Sequence, residues 1–297
     1  MGYGYYDSVA TSTFTSTNYG VSSTRGLRDF SAQEVYKARY LDPMLDPKNV
    51  IRECCDSEDH PHSFPVILGL DVTGSMGNAC KMCASQLDEI MATLYKTNSD
   101  VEFCMMGIGD FACDDAPLQV TQFESDVRIL DQTTKLWLEF GGGGNGWESY
   151  TAAWYFALNR CKLDCWERGE KGIIITMGDE PLNPYLPWRR LHEVLGGEAA
   201  RKDVDTKELY EAVTQKYEVY HIAITDESSY RYYKRQIKES WGSMLGDHLI
   251  TAESGQLPEV IAAIVNSHGT VNIPNINVDI AVDVDVNVKT TDNGISW

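Results

Sequence analysis

The segment VILGLDVTGSMG, residues 66–77, sets three oxygen-bearing side chains at alternate positions behind an apolar run. The run leads into Asp71, Thr73 and Ser75 follow at every second residue, and Gly74 permits a tight turn before a helical pattern begins. That order aims one carboxylate and two hydroxyls at one point above the end of a strand. Hard oxygen donors, few and mostly neutral, suit Mg²⁺ or Mn²⁺, which keep part of their water shell and accept a further carboxylate from elsewhere. Asp, Thr and Ser are also the residues that cap helices, so this five-residue pattern alone is weak. Its placement strengthens it: Gly178-Asp179 closes a second apolar strand pattern, and a glycine-rich loop, Gly141 to Gly144, lies between the two. No G-K-[ST] follows those glycines, and Glu148 would repel a phosphate, so a nucleotide cradle is not expected.

These loops need a scaffold that places several strand ends side by side. From Phe64 onward apolar runs alternate with amphipathic stretches. Strands are predicted at 66–70, 102–108, 172–177, 217–224 and 248–251, and helices at 79–95, 150–163, 188–195, 205–216, 229–241 and 257–267. Strands alternating with helices predict a doubly wound, mostly parallel open α/β sheet, with its site at the carboxyl ends of the strands. Residues 1–63 read as an extension. The first 25 are rich in Ser, Thr, Tyr and Gly and are expected to form a flexible arm, while Ser31 caps a short helix that Pro43 ends. In the tail, residues 269–297, Ile276, Val278, Ile280, Val282, Val284, Val286 and Val288 alternate with Asp279, Asp283, Asp285 and Asn287. That is a strand with one dry side, which must dock on its own domain or on another chain.

The loop Asp71-x-Thr73-x-Ser75 resembles the D-x-S-x-S metal motif of the von Willebrand factor A (vWA) superfamily, with Thr73 keeping the hydroxyl of the first serine. The resemblance covers residues 64–268 and implies a Rossmann-like vWA fold carrying a metal-ion-dependent adhesion site (MIDAS). It also implies an aspartate at a later strand's carboxyl end, which Asp179 matches, and a threonine loop between. There this sequence departs: Glu148 stands in the threonine's place, with Ser149 beside it and Thr151 one helical step on. A carboxylate at that point favours metal retention and weakens the pull on an incoming acid. Ser149 or Thr151 becomes the ligand if the loop is shifted. Of the other acids near these loops, Asp110 is evenly balanced between ligand and structural residue, whereas Asp114, Asp115 and Asp226 read as solvated loop acids or caps.

With 25 Lys and Arg against 44 Asp and Glu, the net charge of −19 repels phosphate backbones and anionic lipid heads and concentrates cations. Nucleic acid and membrane surfaces are thereby disfavoured as partners. No apolar run reaches membrane-spanning length, and no basic, apolar leader opens the chain, so a cytoplasmic location is expected. The eight cysteines are expected to be mostly reduced and buried. Cys80-x-x-Cys83 and the helically spaced Cys161 and Cys165 are a weak zinc candidate, and Cys54, Cys55, His60 and His62 read as an exposed polar linker.

Three functions compete. The first is a binding module whose Mg²⁺, Mn²⁺ or Ca²⁺ accepts a carboxylate from a partner protein; the family habit implies a MoxR-type AAA+ ATPase as partner class. The second is a self-assembling subunit, a homo-oligomer joined through the tail. The third, a metal-dependent hydrolase, is disfavoured. Thr73 occupies the place of the second aspartate of a dehalogenase-type phosphatase, and none of the six histidines lies beside the metal loops in sequence.

Overall fold

The computed structural model describes residues 4–21, 27–139, 146–197 and 199–268. The alternating tail and the glycine-rich loop lie outside the described residues. The described part of the expected arm is ordered as helix α1 (Ser8–Tyr19), which corrects the sequence reading. Asp7 caps it by accepting from the Val9 amide, and Gly20 closes it in the left-handed region at φ 64°. Its buried side is made of Thr11 and Thr15, flanked by Phe14 and Tyr19. Scarce aliphatic content therefore does not prevent docking. A capping box formed by Ser31 and Glu34 opens the next helix, α2 (Ala32–Val35), which ends well before Pro43.

Strand β1 (Arg52–Cys54) leads to β2 (Phe64–Asp71), whose uninterrupted apolar run reflects burial on both faces. In helix α3 (Gly77–Leu94) the buried residues Cys80, Cys83, Leu87, Ile90, Met91 and Leu94 recur at helical intervals. They pack on Val66, Leu68 and Leu70 of β2, while Ile67 points to the opposite face. Then follow β3 (Val101–Ile108), β4 (Leu118–Val120), α4 (Arg128–Thr133) and α5 (Thr151–Arg160). The expected helix over 150–163 stops at Arg160. Its last residues form β5 (Cys161–Leu163), paired in parallel with β1, so the spacing of Cys161 and Cys165 is not helical. The chain continues through β6 (Gly172–Gly178), β7 (Tyr185–Leu186), α6 (Trp188–Leu195), β8 (Val204–Asp205), α7 (Thr206–Val213) and β9 (Tyr217–Ile224). It closes with α8 (Ser228–Leu245), β10 (Leu249–Ala252) and α9 (Leu257–Asn266).

Among the described residues the main sheet has six strands in the order β10-β9-β6-β2-β3-β4, all parallel except β4. Helices α3 and α9 cover one face, and α5, α6, α7 and α8 the other. The doubly wound α/β reading stands. At the β4 edge, the Val120 amide donates to the Leu45 carbonyl, and Arg52 Nη2 donates to the Val120 carbonyl at 2.8 Å. All eight cysteines are free and six are buried. Cys54 and His60 are fully buried, which corrects the exposed-linker reading. His60 Nε2 sits 2.7 Å from the Gly4 carbonyl, so this segment pins the chain's first described residue to the domain.

Candidate metal centre

Parallel strand order decides which loops meet. Because β2 lies between β6 and β3, the loops leaving these three strands share one rim of the sheet. Asp71 ends β2 with no solvent exposure. Its Oδ1 accepts from the Thr73 amide at 3.0 Å and from Thr73 Oγ1 at 2.6 Å. Its Oδ2 accepts from the Tyr150 hydroxyl at 2.7 Å. Ser75 Oγ donates to Asp179 Oδ1 at 2.9 Å, across from the end of β6, and Asp179 Oδ2 accepts from the Ser229 amide at the start of α8. The motif loop and the Gly178-Asp179 loop are thus tied directly together.

Glu148 joins them from the loop before α5. It is 6% exposed, and its Oε2 is buried with no hydrogen-bond partner. Burial raises its carboxyl well above the usual range, and the neighbouring Asp71 raises it further. Asp71 is raised by burial and then by Asp179, and Asp179 is raised by burial. Among the described residues, no Lys, Arg or His forms an ion pair with any of these three buried acids.

Ser149 Oγ accepts from the Phe111 amide at 3.0 Å, and Thr151 is bound by the Asn183 side chain. Asp110 is buried at the end of β3, where its Oδ1 accepts from the Ala112 amide while its own amide donates to Asp114. Asp114, expected to be a solvated loop acid, is buried and braces that turn, which corrects the sequence reading. Asp115 is exposed, and exposed Asp226 binds the amide and hydroxyl of Ser254, a capping role.

Sequence reasoning missed four contributors. Tyr150 orients Asp71, and it fits only because Gly178 has no side chain: a β-carbon there would collide with the tyrosine ring. His221 lies edge-on to Tyr150 with ring centroids 5.2 Å apart and stacks on Trp241 at 3.7 Å. Its burial pushes the imidazole pKa far down, so the ring is a neutral prop behind the site. Glu180, raised to about 7 by burial and Asp179, adds to the acidic rim. Glu227, also raised to about 7 by burial, accepts from the Ala79 amide and so holds the first turn of α3 behind the motif loop. One signal was available: Tyr150 stands two residues after Glu148 in the loop already singled out.

The donor set suits a hard cation. Thr73 and Ser75 direct their protons to Asp71 and Asp179, which leaves hydroxyl lone pairs free, and Glu148 offers an unpartnered oxygen. Among the described residues no group of three or more His, Cys, Asp or Glu is arranged to hold a metal by itself. A cation here would therefore need the two hydroxyls as well as the acids. The zinc alternative gains no such cluster from the cysteines.

A mostly parallel sheet with one short antiparallel edge strand, carrying Asp-x-Thr-x-Ser at the end of a central strand, decides the fold. The fold is a doubly wound α/β sheet of the kind that the vWA resemblance implies. No protein-family model and no curated protein sequence matches the chain. Solved structures with a similar chain path include the pilus adhesin SpaC from Lactobacillus rhamnosus GG in its open conformation, at 10% identity and TM-score 0.47. That match covers 74% of this chain and 30% of the adhesin, so the chain spans less than a third of that protein's length. The SpRpn10 VWA domain matches at 13% identity and TM-score 0.38 over 70% of this chain and 96% of that one. An aerotolerance-related membrane protein from Bacteroides fragilis matches at 12% identity and TM-score 0.40, over 69% of this chain and 100% of that one. Among the described residues no helix is long and apolar enough to cross a membrane.

Proposed function

We propose that this vWA-like chain is a protein-interaction module that holds a divalent cation, Mg²⁺ or else Mn²⁺ or Ca²⁺, and presents it to a carboxylate of a partner protein. The observation that carries the reading is Glu148: a buried carboxylate oxygen without a partner, beside Asp71 and within the field of further acids. Such a group is costly unless a cation completes it. Asp71, Thr73, Ser75, Asp179 and Glu148 would hold the ion, with Asp110 supporting the rim. Ser149 and Thr151 serve the loop backbone instead. A resident carboxylate at 148 makes the ion less electrophilic, so partner binding rests on surrounding contacts as well as on the metal.

The partner class is an AAA+ ATPase or another subunit of a multi-protein assembly, as the family habit suggests, and the module works without catalysis, in the cytoplasm. The third and least favoured reading, a metal-dependent hydrolase, gains no base from His221, which is enclosed by Trp241 and Tyr150. Calorimetric titration with Mg²⁺, Mn²⁺ and Ca²⁺ tests the centre. Binding in the native chain that disappears in Asp71→Ala supports it; equal affinity in both chains refutes it.

A further inference from the structure

Sheets of this type have two edges, and here they differ. The β4 edge is closed by Leu45 and Arg52. At the β10 edge, among the described residues, no hydrogen bond reaches the outer side of the strand. The Ala252 carbonyl accepts from the Thr225 amide at 2.9 Å, so Ala252, and by alternation Ile250, turn their backbone groups toward β9. Thr251 between them therefore turns its N–H and C=O outward, and its side chain is only partly buried. An open edge with polar backbone groups facing out is a template for another strand.

The sequence itself offers a segment whose pattern predicts a strand with one dry side. Residues 276–288 alternate Val and Ile with Asp, Asn and one Ala, and they begin ten residues after the end of α9. The last described residue, His268, sits at the end of the sheet where the parallel strands begin, 3.2 Å from Glu218 of β9 and with its ring tilted against Phe64 of β2 at 4.6 Å between centroids. A short link from there would bring the tail beside β10, running parallel to it.

The hand of the fold strongly disfavours that connection within one chain. The crossover that uses the α3 face, β2 to β3, moves toward the β4 edge. The crossovers that use the other face, β6 to β9 and β9 to β10, move toward the β10 edge. Both describe one hand, and parallel crossovers keep a right hand in about 98% of cases. Helix α9 lies on the α3 face, so a crossover through it must move toward β4, where β9 already occupies the neighbouring place. A tail joining its own β10 on the outside would need the opposite hand. A tail from another molecule carries no such constraint.

We propose that the outer edge of β10, centred on Thr251, receives residues 276–288 of a second copy of this chain as an added parallel strand. The exchange is reciprocal or serial, since each copy offers one edge and one tail. This inference is independent of the metal centre, which lies at the opposite end of the strands from His268.

Sedimentation equilibrium of the full chain tests it. The native chain is expected to self-associate. Thr251→Pro removes the outward N–H of an edge strand, a substitution edges tolerate, and is expected to weaken association at least tenfold at an unchanged melting temperature. If that variant does not fold, Thr251→Lys serves as a second edge variant, because a lysine blunts an edge. A tail variant, Val282→Asn with Val284→Asn, is expected to be monomeric too. Mixing the edge variant, which keeps a tail, with the tail variant, which keeps an edge, is expected to give a one-to-one complex that neither forms alone. A native chain that stays monomeric at high concentration overturns the proposal. So does an edge variant that associates like the native chain, or a mixture that forms no complex.

Discussion

The Tyr150 hydroxyl donates to Asp71 Oδ2 at 2.7 Å, joining residues 79 positions apart in a site with no solvent exposure at either side chain. Phenylalanine at 150 keeps the ring packing against Trp241 and His221 and removes only this bond. Tyr150→Phe is therefore expected to stay folded and to lose about 1–3 kcal/mol of stability in chemical denaturation. Divalent-metal affinity is expected to fall about tenfold, the scale for losing an orienting partner of a ligand. Equal or tighter metal binding by calorimetry would show that Tyr150 supports the fold alone.

Glu148→Gln separates stability from metal binding, because the two should move in opposite directions. Without metal, the buried carboxylate with its unpartnered oxygen opposes folding at neutral pH, so the amide is expected to raise stability by about 1–3 kcal/mol. With metal, the loss of a charged donor is expected to weaken binding. A variant less stable without metal and unchanged in affinity would remove Glu148 from the centre.

Glu102 gives a pH signature away from the metal loops. It is 1% exposed, its Oε2 has no hydrogen-bond partner, and burial raises it to about 7. A carboxyl whose folded value is raised contributes stability that is fully present below the unfolded value of about 4.3 and is lost as pH rises through 7. Denaturation at pH 5 and pH 8.5 should thus show a fall in stability with rising pH. Glu102→Gln should flatten that fall by about 3 kcal/mol, from the linkage of its shift. An identical slope in the variant would mean that Glu102 does not titrate in this range.

Purified chain supplied with Mg²⁺ or Mn²⁺ is expected to show no phosphatase or NTPase turnover above background. Assays with p-nitrophenyl phosphate and ATP measure this directly. Metal-dependent turnover that vanishes in Asp71→Ala would replace the binding-module reading with an enzymatic one.

What the sequence by itself determined follows from short-range order. The apolar runs at 66–70 and 172–177 are strands buried on both faces, and Asp71, Thr73 and Ser75 lie on one turn because strand, glycine and helix follow each other there. Ser31 and its capping box were legible for the same reason. The cap Asp7 and the closing Gly20 of α1 were equally present in the sequence, but that helix docks through Thr11, Phe14, Thr15 and Tyr19, residues that a search for aliphatic periodicity passes over. Only the tertiary structure decided which loops face one another. Ser75 meets Asp179 across 104 residues, and Tyr150 meets Asp71, because β6, β2 and β3 are neighbours in the sheet. Periodicity and capping record local preference, whereas strand order is set by long-range pairing, which leaves no mark at any single position. The burial of Glu148, the neutral state of His221 and the direction in which the Thr251 backbone faces all depend on that order.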